Sequence, residues 1–249
     1  QVDLTVLTLN IRNINDRYEE RKPLLCAEFG AIAPDIAGLQ EVVFGDEPQD
    51  EMLAASAPQR TYRAVDARSE RYPAFGNSIL CAVGEVQAHE TLRLSHNRVV
   101  QRALIALPGH VMLWFANTHL HHKPEHPHVR QAQAHAIIEW METAPAADAT
   151  ILTGDFNTPP FEPAYAEMVD AGFRSAFREA NGAEPAVTWP SGIECDTKDT
   201  EGDPNCLDYV WLRGSIRCHS ARLEFNQHPS TDPTLYPSDH FGILATLQV

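Results

Sequence analysis

The chain has 249 residues, 43% of them hydrophobic and 21% charged, the proportions of a soluble globular protein long enough to bury a full core without disulfide or metal staples. Its formal net charge of −15 repels polyanions at long range, which argues against generic coating of nucleic acid and leaves room only for a local basic cleft. No apolar run approaches the roughly 20 residues needed to cross a bilayer.

In chain order, segments rich in β-branched and aromatic residues read as strands at 4–11, 35–40, 77–83, 98–107, 111–120, 150–156, 206–212, 221–225 and 241–249. Helical patterns fall between some of them. The first is 20–32, with Pro23 required in its first turn. The second is 128–141, with Val129, Ala132, Ala136, Ile137 and Trp140 on one face. The third is 163–171, closed by Gly172. Runs such as LTVLTLNI and VMLWFANTHL are too apolar to have a wet side. Hairpin-like strand succession with few helices predicts two packed sheets with helices outside, in a single domain spanning 1–249. The acidic stretches DEPQDE and CDTKDTEGD read as exposed loops. Trp189 reads as packing rather than substrate stacking. The five cysteines are too scattered for a disulfide scaffold or a structural zinc site. A bridge between Cys195 and Cys206 would close the second acidic loop in an oxidising compartment, and bridged and unbridged forms both stay open. The chain opens directly on a strand with no leader-like run, and its compartment is open: cytoplasmic, or secreted after removal of a leader. A monomer is expected.

The polar residues at strand ends carry the chemistry. Asn10 ends the first strand, Glu41 follows the second, and Asn77 opens the third. Arg102 lies within 98–107, His119 ends the 111–120 segment, and Asp155 and Asn157 end ILTGDFN. Asp208 opens LDYVWL, and Asp239 and His240 open the last strand. Singly, each is an ordinary turn or structural residue. Together, Glu41, Asp155, Asp208 and Asp239 would be costly neighbours without a cation. Carboxylates with amide oxygens, and no cysteine ligands, suit Mg²⁺ or Mn²⁺. Two histidines near such a centre supply proton transfer for ester cleavage.

The ordered set LTLN, LQE, GNSIL, THL, GDFN, LDYV and SDH resembles the endonuclease/exonuclease/phosphatase superfamily over nearly the whole chain, from Asn10 to His240. The resemblance implies an α/β four-layer sandwich, two mostly antiparallel sheets flanked by helices, with the site at one end. It implies a metal-dependent phosphoesterase. Glu41 would be the principal metal ligand, helped by Asn10 and Asp239. Asp155 would position or deprotonate the attacking water, and Asn157 would donate to a phosphate oxygen. Asp208 would orient His240, His119 would contact the phosphate or leaving-group oxygen, and Asn77 and Arg102 would line the phosphate pocket. The favoured substrate is a small phosphodiester, phospholipid head group or phosphomonoester. A DNase I-like or abasic-site nuclease is the alternative, and an inert binding module on the same fold is a minor one.

One departure stands out. Many bacterial relatives read THLDH where this chain reads THLHH, so His121 replaces an acid. The tract HLHHKPEHPH reads as a solvated loop over the site entrance, with prolines that keep the rings from converging on a metal.

Overall fold

The computed structural model describes residues 2–195 and 202–249. The strands are β1 (Asp3–Asn10), β2 (Ile36–Val43), β3 (Arg63–Arg68), β4 (Phe75–Cys81), β5 (Glu85–Leu94), β6 (Arg98–Leu107), β7 (Val111–His119), β8 (Ala149–Asp155), β9 (Arg174–Ser175), β10 (Asp208–Gly214), β11 (Arg217–Glu224) and β12 (Gly242–Gln248). The helices are α1 (Tyr18–Ile32), α2 (Gln49–Ser56), α3 (Pro127–Glu142), α4 (Pro163–Asp170) and α5 (Ala176–Asn181).

Two six-stranded sheets form, in the orders β11-β12-β1-β2-β4-β3 and β5-β6-β7-β8-β10-β9. Each has one parallel pair at its centre, β1/β2 and β7/β8, and is otherwise antiparallel. The centre follows from sequence: these four strands are buried on both faces. Their inner faces meet in one apolar cluster that includes Val6, Ile36, Ile105, Phe115, Ile151 and Val210. On the outside of the first sheet, Leu7 and Leu9 pack with Leu25 and Phe29 of α1 and Leu53 of α2. On the outside of the second, Trp114, Leu152 and Trp211 pack with Ile137 and Met141 of α3 and Met168 of α4. Each such fully buried side chain contributes about 1.5–3 kcal/mol of transfer free energy. The order helix, sheet, sheet, helix is the expected four-layer sandwich.

Toward one end the inter-sheet core turns polar. Asn117 Nδ2 donates to the carbonyls of Leu39 (2.8 Å) and Ser78 (3.0 Å), and its Oδ1 accepts from Gln40 Nε2 (2.8 Å) and Thr153 Oγ1 (3.2 Å). The first three bonds cross between the sheets and the last joins β8 to β7, so together they fix the relative position of β2, β4, β7 and β8. Gly38 makes the close approach possible, because a Cβ there would collide with the Thr153 hydroxyl and crowd the Asn117 amide.

Several elements differ from the sequence reading. DEPQDE is not wholly an exposed loop: it runs into α2, where Gln49 and Asp50 are buried. Gln49 accepts from the Val43 amide and donates to Asn13 O, and Asp50 accepts from Ser78 Oγ. α1 begins at Tyr18, so Pro23 lies beyond its first turn. The buried face of α3 is Arg130, Gln133, Ala134, Ile137 and Met141, while Ala132 is exposed. Two polar members of that stripe disguised it. Cys195 and Cys206 form no disulfide; Cys206 is buried, its Sγ donating to Asp208 O.

Candidate active site

The parallel centres bring the strand ends together. β1 and β2 run in the same direction, with Asn10 opposite Gln40, so Asn10 and the following Glu41 emerge at one end. In the second sheet His119 lies opposite Asp155, and Asp155 opposite Asp208, so the three form one row across β7, β8 and β10. Asp239 and His240 immediately precede β12, which pairs with β1. Seven of the sequence-predicted residues therefore converge from six strands.

Their contacts form a connected network. Asn10 Nδ2 donates to Asp155 Oδ2 (2.9 Å) and Glu41 Oε1 (3.3 Å), tying the two sheets together. Asp155 Oδ2 is also 3.3 Å from His119 Nε2 and 3.6 Å from His240 Nε2. His240 Nδ1 is 2.9 Å from Asp208 Oδ2. That Asp208 oxygen also accepts from Thr188 Oγ1 at 2.6 Å, and Thr188 Oγ1 in turn accepts from the amides of Leu207 and Asp208. Ser238 braces the opposite side, donating to Asn10 O (2.6 Å) and accepting from the His240 amide (3.3 Å).

Among the sequence-predicted site residues, two hold left-handed backbone conformations without being glycine: Glu41 (φ 56°) and Asn157 (φ 48°). Such strain persists where surrounding contacts over-determine it. For Asn157 those contacts are its amide to Asp155 Oδ1 (2.9 Å) and its Nδ2 to Leu120 O (3.1 Å). Asn157 is thus outside the extended strand that the spacing suggested. One hydrogen of its side-chain amide is used on the backbone, which leaves the second for a ligand.

Burial drives the Asp155 carboxyl upward, to about 7, with Asp208 adding to the effect and His240 and Asn10 opposing it. Burial pushes His240 the other way, but the Asp208, Asp155 and Asp239 carboxylates overcome it and raise the imidazole to about 10. His119 is driven well down, by burial first and then by Arg98 and His240, so it is a neutral ring.

The network floors a cavity of about 650 Å³ lined by Glu41, His119, Asp155, Asn157, Asp239 and His240 among others. Asn10 and Asp208 stand behind these as bridging and orienting groups. Trp189 is nearly buried, as packing requires, yet it also lines the cavity, 6.4 Å between ring centroids from His240.

Two assigned pocket residues lie elsewhere. Arg102 is buried against α3: Nε and Nη2 bind Glu90 Oε2 (2.8 and 2.6 Å), Nη1 donates to Trp140 O (2.6 Å), and the guanidinium lies 4.1 Å from the Trp140 ring centroid. Mid-strand, it faces the outer helix layer, not the strand ends. Asn77 is also buried and outside the cavity, and donates across the sheets to Val99 O (3.2 Å). The cavity cations are instead Arg12, Arg98, Lys123 and Arg130. Arg98 is the first residue of β6, just after the turn residues Ser95, His96 and Asn97, and that strand-end position was the signal.

The histidine tract covers the cavity, with His119, His121 and His122 in its wall. Contrary to the expectation from its prolines, the rings do gather. His121 is buried, stacks on His126 (9° between planes) and lies 4.4 Å from His96, with His121 Nε2 to His126 Nδ1 at 2.9 Å. One pair is stacked and the others are tilted or edge-on, and among the described residues no three of these ring nitrogens come together as a metal-ligand group. Of the acidic loop 195–203, residues 196–201 lie outside the described residues, while Gly202 and Asp203 line the cavity.

The donor chemistry fits a hard divalent cation. Glu41, Asp155, Asp208 and Asp239 concentrate negative charge that Arg12 and the His240 imidazolium only partly offset, and the Asp208 carboxylate adds to the rise that burial imposes on the Asp155 carboxyl. The donors of Asp155, Asp208 and His240 lie within 4.8 Å of one another. Asp208 and His240 are already engaged with each other and with Thr188, so Glu41 and Asp239 are the better oxygen donors.

The model of the Endonuclease/Exonuclease/phosphatase family matches residues 7–240. Nocturnin from Xenopus laevis is 25% identical over 262 residues, covering 92% of this chain and 64% of that protein. The chain thus spans about two thirds or less of the length of the curated nocturnins it matches. Among solved structures, an endonuclease/exonuclease/phosphatase from Bacteroides vulgatus superposes with a TM-score of 0.80 at 21% identity, covering 100% of both chains. The human nocturnin catalytic domain, solved with a bound sulfate anion, gives 0.79 at 21% identity, covering 99% of this chain and 93% of that one. These chains share the four-layer fold, and with the family model matching from β1 to His240, the protein belongs to the endonuclease/exonuclease/phosphatase family.

Proposed function

We propose that the protein is a divalent-metal-dependent phosphodiester hydrolase that acts by in-line attack of water on a compact phosphate ester. The observation that carries the reading is the convergence of Glu41, His119, Asp155, Asp239 and His240 on one cavity floor, with Asn10 and Asp208 bonded to them from behind.

Glu41 and Asp239, with Asn10, would hold Mg²⁺ or Mn²⁺, which when bound polarises the phosphoryl oxygen and offsets its developing charge. The protein's own residues do the rest. Asp155, with two imidazoles beside one of its oxygens, is placed to take a proton from the attacking water. Asp208 fixes His240 through Nδ1, so that Nε2 faces the reacting centre. A proton held on Nε2 then stabilises negative charge growing on a non-bridging oxygen. His119 and the second Asn157 amide hydrogen are fixed dipoles serving the same charge. Because these groups are packed and hydrogen-bonded in advance, little reorganisation accompanies the reaction.

A compact substrate is favoured over a long duplex. The chain carries −15 net charge. Of the cavity cations, Arg12 is held by Asp16 (2.5 Å) and Arg130 by Glu162 (2.8 Å). A duplex binder needs several cations along a backbone, with a salt slope of about −0.9 per phosphate contacted.

The test is a metal-supplemented screen of small phosphodiesters, phospholipids, phosphomonoesters and plasmid DNA, with EDTA controls and a salt series. Turnover of a small ester that needs metal and varies little with salt is the expected result. Plasmid nicking that outruns every small substrate would make the protein a nuclease.

A further inference from the structure

We propose that the tip of the β5–β6 hairpin, centred on Arg98, is an anion subsite that holds a second phosphoryl group of the substrate at the mouth of the cavity. The inference rests on the hydrolase reading above and narrows its substrate class to esters bearing a further phosphoryl group.

Arg98 differs from the two neighbouring arginines. Arg130 is used to build the loop: it binds both Glu162 oxygens and the carbonyls of His121, Lys123 and Pro124. Arg12 is engaged with Asp16 and Asp239. Arg98 makes no ion pair among the described residues. Its Nη2 donates to His122 Nδ1 at 3.2 Å, and a ring nitrogen that accepts is unprotonated, so this contact orients the guanidinium without neutralising it. A partly buried cation lacking a carboxylate partner is costly unless an anion arrives. Burial lowers the pKa of Arg98, and the nearest acidic influences, Glu41 and Asp155, belong to the catalytic floor.

The position is built in advance. His96 (φ 58°) and Asn97 (φ 57°) hold consecutive left-handed conformations at the turn. Gln133 Nε2 of α3 donates to Ser95 O at 2.8 Å, clamping the tip to the helix. Val99 O accepts from Asn77 Nδ2 and from Thr118 Oγ1, both at 3.2 Å, so the strand leaving Arg98 is pinned to its neighbour and to the other sheet. Asn77, expected at the phosphate, thereby supports the arginine that takes its place. His96 and Asn97 also line the cavity.

The scissile phosphoryl is served by the floor, from Asn157, His119 and His240. Arg98 comes from the hairpin at the rim, in a cavity of about 650 Å³, and its planar donors match phosphate oxygens two at a time.

The experiment is calorimetry of the full chain in EDTA, with pyrophosphate and orthophosphate as probes. Wild type is expected to bind pyrophosphate about tenfold to a hundredfold more tightly, the scale of a charge-assisted hydrogen-bond pair. R98Q should abolish that preference. H121D, which sets a carboxylate near Arg98, should do the same and decides the question if R98Q melts early. Equal binding of both probes by wild type, or a folded R98Q that keeps the preference, overturns the subsite. Hydrolysis of bis(p-nitrophenyl) phosphate with Mg²⁺ is scored separately. No turnover with the preference intact sinks the hydrolase reading alone, and turnover with no preference sinks the subsite alone.

Discussion

Replacing Asp208 by Asn is the sharpest test of the proposed chemistry, because it changes a charge while keeping the shape. Asp208 is fully buried, and one oxygen carries both its contacts, His240 Nδ1 at 2.9 Å and Thr188 Oγ1 at 2.6 Å. The other oxygen, Oδ1, has no hydrogen-bond partner among the described residues. The amide fits the space but removes the charge that holds His240 protonated. A hydrogen bond to a charged group is worth about 1.5–3 kcal/mol, which alone predicts a loss of roughly tenfold to 150-fold in kcat. If the amide nitrogen turns toward Nδ1, the imidazole adopts the other tautomer, and the loss grows toward the ~10⁴-fold seen for misoriented catalytic imidazoles. Thr188→Val removes one donor to Asp208 without touching the charge, so it should cost less than Asp208→Asn. The assay is kcat on bis(p-nitrophenyl) phosphate at saturating Mg²⁺, with thermal melts to show that the variants fold. The double variant Asp208→Asn/His240→Ala should be little worse than His240→Ala alone, since the pair acts as a unit. Independent, additive losses would refute the orienting role, as would an Asp208→Asn enzyme that stays within about threefold of wild type, well short of the range expected for the bond.

Glu41→Gln should weaken Mg²⁺ or Mn²⁺ binding by at least about tenfold in calorimetry, with the melting temperature little changed; unchanged metal affinity would move the ion elsewhere. Arg102→Ala should lower stability by about 2–4 kcal/mol through loss of its ion pair and cation–π contacts, while kcat/KM per folded molecule stays constant; a selective loss of activity would return Arg102 to the pocket. Burial, followed by His96 and His122, lowers His121 to about 4 from an ordinary 6.5. Below pH 6.5 the unfolded chain therefore binds the extra proton first, so this contribution is complete above pH 6.5 and is lost as pH falls toward 4. Urea midpoints at pH 7 and pH 5 should show a smaller acid loss in His121→Asn than in wild type, and equal losses would sink the argument.

The fold and the site were legible to different depths, for physical reasons. The central strands announced themselves because burial on both faces demands an unbroken apolar run, as in β1 and β7. Edge strands β3 and β5 are polar and half-wet, and gave no such signal. The site residues were legible because charge at the end of an apolar strand is conspicuous, and a parallel centre guarantees that such ends meet. Arg102 exposes the weakness of that logic. A charge within an apolar strand looks equally conspicuous, but here two tryptophans and Glu90 satisfy it on the outer face. Asn77 was misplaced for a related reason: a buried amide can tie two sheets together as readily as bind phosphate. What distinguishes the two uses is whether the polar atoms are already satisfied by the protein. The orienting groups Thr188 and Ser238 were illegible for the converse reason, since a small hydroxyl declares itself only through its partners. Arg98 meets the test that Arg102 fails: its one described polar partner is a ring nitrogen of His122, which brings no negative charge, so its positive charge is left to something that enters the cavity.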